Sequence, residues 1–209
     1  MAKTFLHIGP GTSYKDSTTR VFNTPDWNEV RLDIDDSAKP DIKASMLDMS
    51  MIEDNSFEAI FSSHNIEHVF SYQVITAFLE MFRVLKDKGF LVLSCPDIQQ
   101  VSIAVAKGNL TNPLYYTSSK VPISAIDILY GHGQSLKDGN HYMAHKCGFT
   151  DRVLLGELNQ AGFNNISIVK APKAYALHAI AFKNTSLNRS ESNKMLMDHL
   201  PYKSVTIND

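Results

Sequence analysis

Apolar and polar positions divide the chain into alternating segments of strand and helix type. Short apolar runs of strand length occupy residues 4–8, 29–34 and 57–64, and glycine, acidic or small polar residues follow them. A weaker strand is predicted over residues 41–46. The run at residues 90–97 is almost continuously apolar, which is typical of a strand that is buried on both faces.

Helical periodicity is clearest over residues 71–88. Apolar side chains recur there at a spacing of three and four, namely Val74, Ile75, Phe78, Leu79, Phe82 and Leu85. Ser71 is the predicted N-cap, lysines in the last turn suit a helix C-terminus, and Gly89 suits the position that follows it. A second helix is predicted over residues 150–161, and Gly162 ends it.

Two further strands are predicted late in the chain, at residues 165–170 and 175–183. Strands that are separated by helices form a mostly parallel sheet covered on both faces, so the pattern predicts an α/β fold. Residues 1–183 are predicted to form a single domain, in which residues 98–149 are an insertion. Residues 184–209 are predicted to be a C-terminal tail that is frayed or loosely docked, with one candidate short helix at residues 191–200.

Composition is that of an ordinary globular protein. The chain has 209 residues, of which 44% are hydrophobic and 20% charged, with a formal net charge of -2. No run of lysine and arginine occurs, which argues against a nucleic-acid partner, and no signal peptide or membrane span is recognisable. Cys95 and Cys147 match no metal or disulfide framework. We therefore expect a cytoplasmic protein with neither a nucleic-acid nor a membrane partner, and its oligomeric state stays open.

The stretch FLHIGPGTSYK near the start of the chain combines a strand with a glycine turn. Gly9 and Gly11 leave backbone N–H groups free for a ligand, but Pro10 removes one donor and no third glycine opens a helix. Asp33 lies about 20 residues further on, where a carboxylate can accept both hydroxyls of a ribose, and Asp35 is the alternative. The alternative is that the two glycines form a plain strand-to-loop turn and that Asp33 and Asp35 belong to a solvated acidic turn, with no ligand.

Five segments occur in the order seen in class I S-adenosylmethionine-dependent methyltransferases: FLHIGPG, LDIDD, ASMLDMSMIEDNSFEAIFSSHNIEHV, FLEMFRVLKDKGFLVLSCPD and CGFTDRVLLGELNQAGF. The chain resembles most the type 11 group of this class, including short bacterial members, over residues 4–182. The resemblance implies a Rossmann-like three-layer α/β sandwich with a mostly parallel seven-stranded sheet, whose last strand is antiparallel. It also implies that residues 98–149 form a small lid and that the cofactor is S-adenosylmethionine.

The resemblance implies a set of cofactor-binding residues, which are His7, Gly9, Gly11, Asp33, Asp48, Met49 and Ser63. In this assignment the glycines line the methionine and ribose side, and Asp33 binds the ribose hydroxyls. Asp48 and the backbone of Met49 lie at the adenine edge. His7 occupies a position that usually holds an acidic residue in the family.

The stretch HNIEH follows the predicted fourth strand and allows two interpretations. It matches the H-x-x-E-H pattern of inverted zinc peptidases, in which two histidines bind zinc and the glutamate is the base. That pattern requires one long helix, whereas the strand here ends at His64 and helical periodicity begins only at Ser71. We favour a His64 that borders the sulfonium and the substrate. In a further interpretation Glu67 and His68 are structural polar residues of the connection, and we favour this for His68.

Histidines and tyrosines are concentrated in the second half of the insertion. The candidates are Tyr130, His132 and Tyr142 for substrate contacts, and His141 and His145 for a general base. With His64, these histidines could also form a metal site, since imidazole suits several first-row metals. The alternative is a polar loop whose histidines bond to backbone groups, and no metal ligand is assigned.

These residues and the resemblance together predict transfer of a methyl group from S-adenosylmethionine to a small-molecule nucleophile, a metabolite or a sugar, by in-line displacement. The protein would mainly align the reactants, and His64, His141 or His145 would act as the base where the nucleophile must lose a proton. One alternative is a lyase, cyclase or metal-assisted enzyme on the same fold. The other is a non-catalytic cofactor-binding protein, which His7 and Pro10 favour.

Overall fold

Seven strands form one sheet in the computed structural model, which describes residues 2–117 and 119–199. The strands of these residues are β1 (Lys3–Ile8), β2 (Trp27–Asp33), β3 (Ile42–Lys43), β4 (Phe57–Ser63), β5 (Leu85–Pro96), β6 (Pro113–Tyr116), β7 (Pro122–Ser124), β8 (Asn164–Ala171) and β9 (Ala176–Phe182). The sheet order is β3-β2-β1-β4-β5-β9-β8, and β6 and β7 form a separate hairpin. Strands β1 to β5 run parallel, and β9 is antiparallel to both of its neighbours. The predicted fold class is confirmed.

Two helices cover one face of the sheet. The helices of the described chain are α1 (Val74–Val84), α2 (Ile98–Ala106), α3 (Ala125–Tyr130), α4 (Gly133–Lys137), α5 (Asp151–Gln160) and α6 (Arg189–His199). Leu6 and Ile60 from the sheet pack with Phe78 of α1 and Leu158 of α5 in one apolar core. No helix in the described parts of the chain is long and apolar enough to cross a membrane.

The other face of the sheet is covered by irregular chain and the last helix. Phe5 and Phe90 of the sheet pack there with Phe22 and Trp27, in a second apolar core. The segment between β1 and β2 forms a 3-10 turn at Lys15–Ser17 and no α-helix. This segment is rich in serine, threonine, asparagine and proline, and its few apolar residues do not recur at helical spacing. The first loop, residues 9–15, therefore does not lead into a helix as dinucleotide-binding loops do.

The C-terminal tail is docked up to the last described residue. Leu196 and His199 of α6 are each 3% exposed. The His199 ring lies 4.7 Å from the ring of Phe22 and 4.9 Å from that of Phe90, and its Nδ1 is 3.2 Å from the Thr19 hydroxyl. The prediction of a loose tail is therefore wrong for α6, because this helix buries aromatic surface that would otherwise face water. Residues 200–209 lie outside the described chain.

Helix α1 is shorter than the predicted helix at both ends. It begins at Val74, three residues after the predicted N-cap, and ends at Val84. The next residue, Leu85, is fully buried and pairs with Phe57 as the first residue of β5. Gly89 therefore lies within a strand instead of following the helix.

The insertion, residues 98–149, has a small core of its own. Helices α2 and α3 and the β6–β7 hairpin contribute to it, and its buried members are Val101, Ala125 and Ile128. An isolated parallel bridge between Asp97 and Phe149 joins the two ends of the insertion at the carboxyl end of β5. That the insertion acts as a lid stays a prediction.

Candidate active site

The two glycines after β1 form a turn with an open side. Gly9 and Gly11 have positive φ angles of 66° and 54°, which favour glycine. A Cβ at Gly9 would lie 2.2 Å from Nδ2 of Asn65, whereas a Cβ at Gly11 would meet no heavy atom within 4 Å. Gly9 is thus required for the close approach of Asn65, and Gly11 presents bare backbone to free space, as a cofactor cradle needs.

Asp33 at the end of β2 is bonded directly to this loop. Its Oδ2 accepts a hydrogen bond from the Gly11 N–H at 2.9 Å, and its Oδ1 accepts one from the Asp35 N–H at 3.0 Å. Each carboxylate oxygen can accept a second hydrogen bond. Asp35 instead caps the following 3-10 turn by accepting from the Ser37 N–H, a bond that lowers the pKa of its carboxyl. The geometry therefore favours Asp33 over Asp35 as the ribose acceptor.

Arg31 stabilises the first loop through hydrogen bonds to its backbone, a role that was not predicted from the sequence. It is 4% exposed, and its guanidinium donates to four carbonyl oxygens, those of Gly11, Ser13, Ala38 and Lys39. The guanidinium also stacks over the ring of Tyr14, 4.3 Å from its centroid. The only available signal was that Arg31 and Asp33 share one face of β2, because side chains alternate along a strand.

His7 supports the loop from within the sheet. It is 3% exposed, and its Nδ1 lies 2.6 Å from Oε1 of Glu29. Burial lowers the pKa of His7 in spite of this partner, which keeps the imidazole neutral near pH 7. The other oxygen of Glu29 accepts from the Lys15 N–H of the loop. Glu29 thus links His7 to the first loop, and a direct contact of His7 with the cofactor stays a prediction.

The loop before β4 carries Asp48 on its surface and Met49 in the core. Asp48 accepts from the Ser50 N–H at 3.1 Å, and this bond lowers the pKa of its exposed carboxyl. The Met49 N–H donates to Oε2 of Glu80 at 2.7 Å, and the Met49 side chain is fully buried. The Met49 N–H is thus already used by Glu80, and the placement of the Met49 backbone at the adenine edge stays a prediction.

Ser63 and His64 lie where β4 ends. The hydroxyl of Ser63 is 2.7 Å from that of Ser94 on β5, so the two strands share a polar contact at this edge. His64 follows with a positive φ of 50°, and its N–H donates to the Ser94 carbonyl oxygen. Its half-exposed imidazole has Nδ1 3.5 Å from Oε1 of Glu67. His64 is therefore accessible to a ligand at the carboxyl edge of the sheet.

Glu67 is a fully buried carboxylate at this edge. It lies in the 3-10 turn Ile66–His68 with 0% exposure. Burial alone would raise the pKa of Glu67, but His64, His68 and His145 nearby lower it. His145 Nε2 is 4.0 Å from Glu67 Oε1, and the rings of His68 and His145 are 4.9 Å apart. Glu67 and His68 thus form a cluster with His145, and their interpretation as structural residues stays a prediction.

Backbone hydrogen bonds bring the insertion to this cluster. The N–H groups of Lys146 and Cys147 donate to the carbonyl oxygen of Glu67 at 2.8 and 3.3 Å. The N–H of His145 donates to the carbonyl oxygen of Tyr130 at 3.1 Å. These bonds fix His145 against Glu67, although the two residues are far apart in the sequence.

The other candidates of the insertion lie at its surface. Tyr130, His141 and Tyr142 are exposed, and Nδ1 of His132 is 2.8 Å from the Ser135 hydroxyl. In the described part of the chain, no hydrogen bond or ion pair joins these four side chains to the His64–Glu67 cluster. Among the predicted histidines of the insertion, the structure brings His145 into the site.

Two further polar residues at the edge were not assigned from the sequence. Asn65 Nδ2 and Asp97 Oδ2 are buried and have no hydrogen-bond partner in the described residues. Asp97 caps α2 through its other oxygen, which accepts from the Gln99 N–H at 3.0 Å. Both lie directly after strands of the parallel sheet, where α/β folds bind their ligands.

The strand order, the glycine turn after β1 and the acid at the end of β2 together define a class I methyltransferase fold, the class that the sequence resembles. Residues 6–93 match the model of the family described as "Methyltransferase domain". No curated protein matches the chain. Residues 6–93 are therefore similar to a methyltransferase domain, and the described chain has the fold of class I methyltransferases.

Solved structures show the same fold at low sequence identity. A SAM-dependent methyltransferase from Archaeoglobus fulgidus is 13% identical, with a TM-score of 0.54 over 87% of this chain and 86% of that one. A possible histamine N-methyltransferase from Thermotoga maritima is 14% identical, with a TM-score of 0.52 over 88% and 83%. The CurJ carbon methyltransferase is 11% identical, with a TM-score of 0.57, and the chain spans only 49% of it.

Proposed function

We propose that this enzyme transfers a methyl group from S-adenosylmethionine to a small-molecule nucleophile by in-line displacement. One observation carries the proposal. The Asp33 carboxylate accepts a hydrogen bond from the Gly11 N–H. Gly11 faces open space, so a group that can accept from the ribose hydroxyls lies next to backbone that a cofactor can approach.

Asp33, the two glycines and Asn65 are the residues proposed to hold the cofactor. Asp33 has lone pairs for the ribose hydroxyls, and the amide nitrogen of Asn65 can donate to the carboxylate of the methionine end. The bound cofactor supplies an electrophilic methyl group next to a sulfonium. Asp48 at the surface is proposed to accept from the adenine amine, since only one of its oxygens is used by Ser50.

His64 is the residue proposed to accept a proton from the substrate. Its imidazole is half exposed at the end of β4, and the buried Glu67 beside it can stabilise a charged imidazolium. His145 faces the same carboxylate from the insertion, whereas His141 is exposed outside this cluster. A base is needed only when the nucleophile carries a proton at attack.

A small substrate is favoured by the position of the insertion. The N–H groups of Lys146 and Cys147 donate to the Glu67 carbonyl oxygen in the turn after β4, so the insertion lies beside the edge where the methyl group would lie. Tyr130, His132 and Tyr142 are proposed to contact the substrate from the insertion. The lack of lysine and arginine runs in the sequence gives no support for a polyanionic substrate.

The cofactor site is tested by calorimetric titration with S-adenosylhomocysteine. Asp33→Asn keeps the shape of the side chain but removes the charge, and we expect binding to weaken by roughly 10- to 100-fold, the range for hydrogen bonds to a charged group. Asp36→Asn is the matched control, since Asp36 is exposed in the next turn and its carboxylate pairs with Lys43. Equal affinity of both variants and the wild type would contradict the assignment.

The substrate class is tested with cofactor that carries a labelled methyl group. The enzyme is incubated with a low-molecular-weight metabolite fraction and, separately, with the macromolecules of the same extract. We expect wild-type enzyme to label a compound of the first fraction, and Asp33→Asn to label it far more slowly. Label found only in protein or nucleic acid would overturn the small-molecule proposal while leaving methyl transfer intact.

A further inference from the structure

We infer that Glu67, His68 and His145 bind a divalent first-row transition-metal ion such as Zn²⁺. One ligand atom from each residue lies within 4.8 Å of the corresponding atoms of the other two. Two imidazoles and one carboxylate are a donor set that suits such ions. The inference rests on this cluster alone and holds whether or not the substrate is a small molecule.

The two histidines are held in the tautomer that a metal requires. His68 Nδ1 lies 3.1 Å from the carbonyl oxygen of Ala144, and His145 Nδ1 lies 2.7 Å from that of Ile128. A carbonyl oxygen can only accept a hydrogen bond, so each Nδ1 carries the proton and each Nε2 presents a lone pair. Histidine ligands of metals are oriented in this way by a hydrogen bond from their other ring nitrogen.

Glu67 supplies the negative charge of the cluster. Its side chain is 0% exposed, and neither carboxylate oxygen has a hydrogen-bond partner in the described residues. A buried carboxylate is costly unless it is paired or coordinates a metal. Two imidazole nitrogens lie near it, His64 Nδ1 at 3.5 Å and His145 Nε2 at 4.0 Å from Oε1. A metal ion between Glu67 and the two histidines would neutralise this charge.

Small side-chain movements would bring the three ligand atoms to the distances that an ion imposes. Two ligands that are about 2.1 Å from one tetrahedral ion lie about 3.4 Å apart. The 4.0 Å between His145 Nε2 and Glu67 Oε1 has to shorten by about 0.6 Å, and the separations of up to 4.8 Å within the cluster by at most about 1.4 Å. Three protein ligands leave a coordination position open, as in catalytic zinc sites, and His64 lies beside Glu67 at the exposed rim of the cluster.

The test is metal binding by the full chain after treatment with a chelator. Wild-type protein is titrated with ZnCl₂ in competition with a chromogenic chelator, and we expect one equivalent to bind. His145→Ala should weaken this binding roughly 10-fold or more, since even the loss of outer-shell partners has effects of that size. His132→Ala is the matched control, because His132 lies in the same insertion and contacts Ser135 instead.

A second variant keeps the inference testable if His145→Ala does not fold. Glu67→Gln preserves the size and shape of the side chain but removes the charge, and it should lose Zn²⁺ binding while retaining a cooperative thermal transition. The Co²⁺ complex of the wild type should show d–d absorption bands, which Glu67→Gln lacks. Failure of the wild type to bind Zn²⁺, Co²⁺ or Mn²⁺, or equal Zn²⁺ affinity in the wild type, Glu67→Gln and any folded His145→Ala, would overturn the inference.

Discussion

Arg31 and Asp33 lie two residues apart on one face of β2 and both contact the first loop. Together they bind a backbone N–H group and a backbone carbonyl group of that loop. Asp33 accepts from the Gly11 N–H, while Arg31 donates to the Gly11 carbonyl oxygen. Many nucleotide-binding loops are held by the helix that follows them. Here a 3-10 turn follows instead, so these two side chains give the loop its order.

Replacement of Arg31 is therefore expected to affect both stability and cofactor binding. Arg31→Met keeps the apolar stem but leaves buried carbonyl oxygens without donors, and we expect a loss of about 2–4 kcal/mol in the free energy of unfolding. S-adenosylhomocysteine should bind at least 10-fold more weakly because the loop is no longer fixed. Urea unfolding and calorimetric titration measure the two effects.

Arg152→Met is the matched control, since Arg152 is exposed on α5. It should change neither quantity beyond about 0.5 kcal/mol. An Arg31→Met protein with wild-type affinity would mean that the first loop is ordered without its guanidinium.

Some residue contacts of the site can be predicted from the sequence and others cannot. Asp33 could be predicted because an acid about 20 residues after a glycine turn is a local pattern. Asn65 and Arg31 could not, because their partners are the backbone of Gly9 and a set of carbonyl groups that come together only in the folded chain. The contact of His68 with His145 could not be predicted for the same reason, since His145 comes from the distant insertion.

The ends of an element were predicted well where its apolar pattern fits one type of secondary structure, and poorly where the pattern fits both a helix and a strand. Helix α5 lies within a residue of its predicted ends, because Thr150 caps it and Leu154 and Leu158 suit only a helical spacing. The end of α1 was misplaced because Leu85 continues the helical stripe in the sequence, yet it also fits the apolar strand that follows.

Helix α6 could not be recognised as part of the fold from its own sequence. Its segment is mostly polar, and few of its side chains, Leu196 and His199 among them, are buried. The helix docks because one face of the sheet is aromatic. The segment between β1 and β2 covers this face only in part, and α6 covers the rest. Such a requirement belongs to the assembled sheet and leaves no periodic signal in the helix.

The docking of α6 predicts a pH-dependent stability. Burial lowers the pKa of His199 to about 4, against a weaker opposite effect of Asp198. Because the folded-state pKa lies below the unfolded value of about 6.5, the contribution to stability is complete above pH 6.5 and is lost as the pH falls towards 4. A shift of this size corresponds to up to about 3 kcal/mol. His178, whose pKa is also lowered to about 4 by burial, adds to the same loss.

Comparison of the His199→Phe variant with the wild type by urea unfolding between pH 7 and pH 4 separates the two histidines. Phenylalanine fills the same site between Phe22 and Phe90 and cannot be protonated, so part of the pH dependence should disappear. His141→Gln, which changes an exposed histidine, should retain all of it. An unchanged slope in His199→Phe would show that α6 is not docked through this ring.

At the scale of the whole molecule, the site consists of a sheet edge and an insertion that is bonded to it. The sheet and the first loop provide the groups proposed to hold the cofactor, whereas His145 reaches Glu67 only because Lys146 and Cys147 are bonded to the Glu67 carbonyl oxygen. The geometry of the cluster therefore depends on how the insertion is packed. Gly131 is where this packing is tightest, since a Cβ there would lie 2.0 Å from the Met143 carbonyl oxygen.

Two glycines of the insertion allow that packing to be tested by itself. Gly131 and Gly139 both have positive φ angles, 103° and 91°, but a Cβ at Gly139 would meet nothing within 4 Å. Gly139→Ala therefore carries only the backbone strain of about 1 kcal/mol, whereas Gly131→Ala must also displace Met143. Hydrogen exchange at the Lys146 and Cys147 amides should become much faster in Gly131→Ala and stay unchanged in Gly139→Ala.

The amide of Leu91, in the middle of β5, serves as an internal reference because it reports on the sheet and not on the insertion. Its exchange should be similar in both variants, since the two apolar cores do not include the altered residues. Zn²⁺ affinity should fall in Gly131→Ala together with the protection at Lys146, because His145 moves with that segment. Protection at Lys146 that survives in Gly131→Ala would mean that the insertion reaches Glu67 independently of its contact with Gly131.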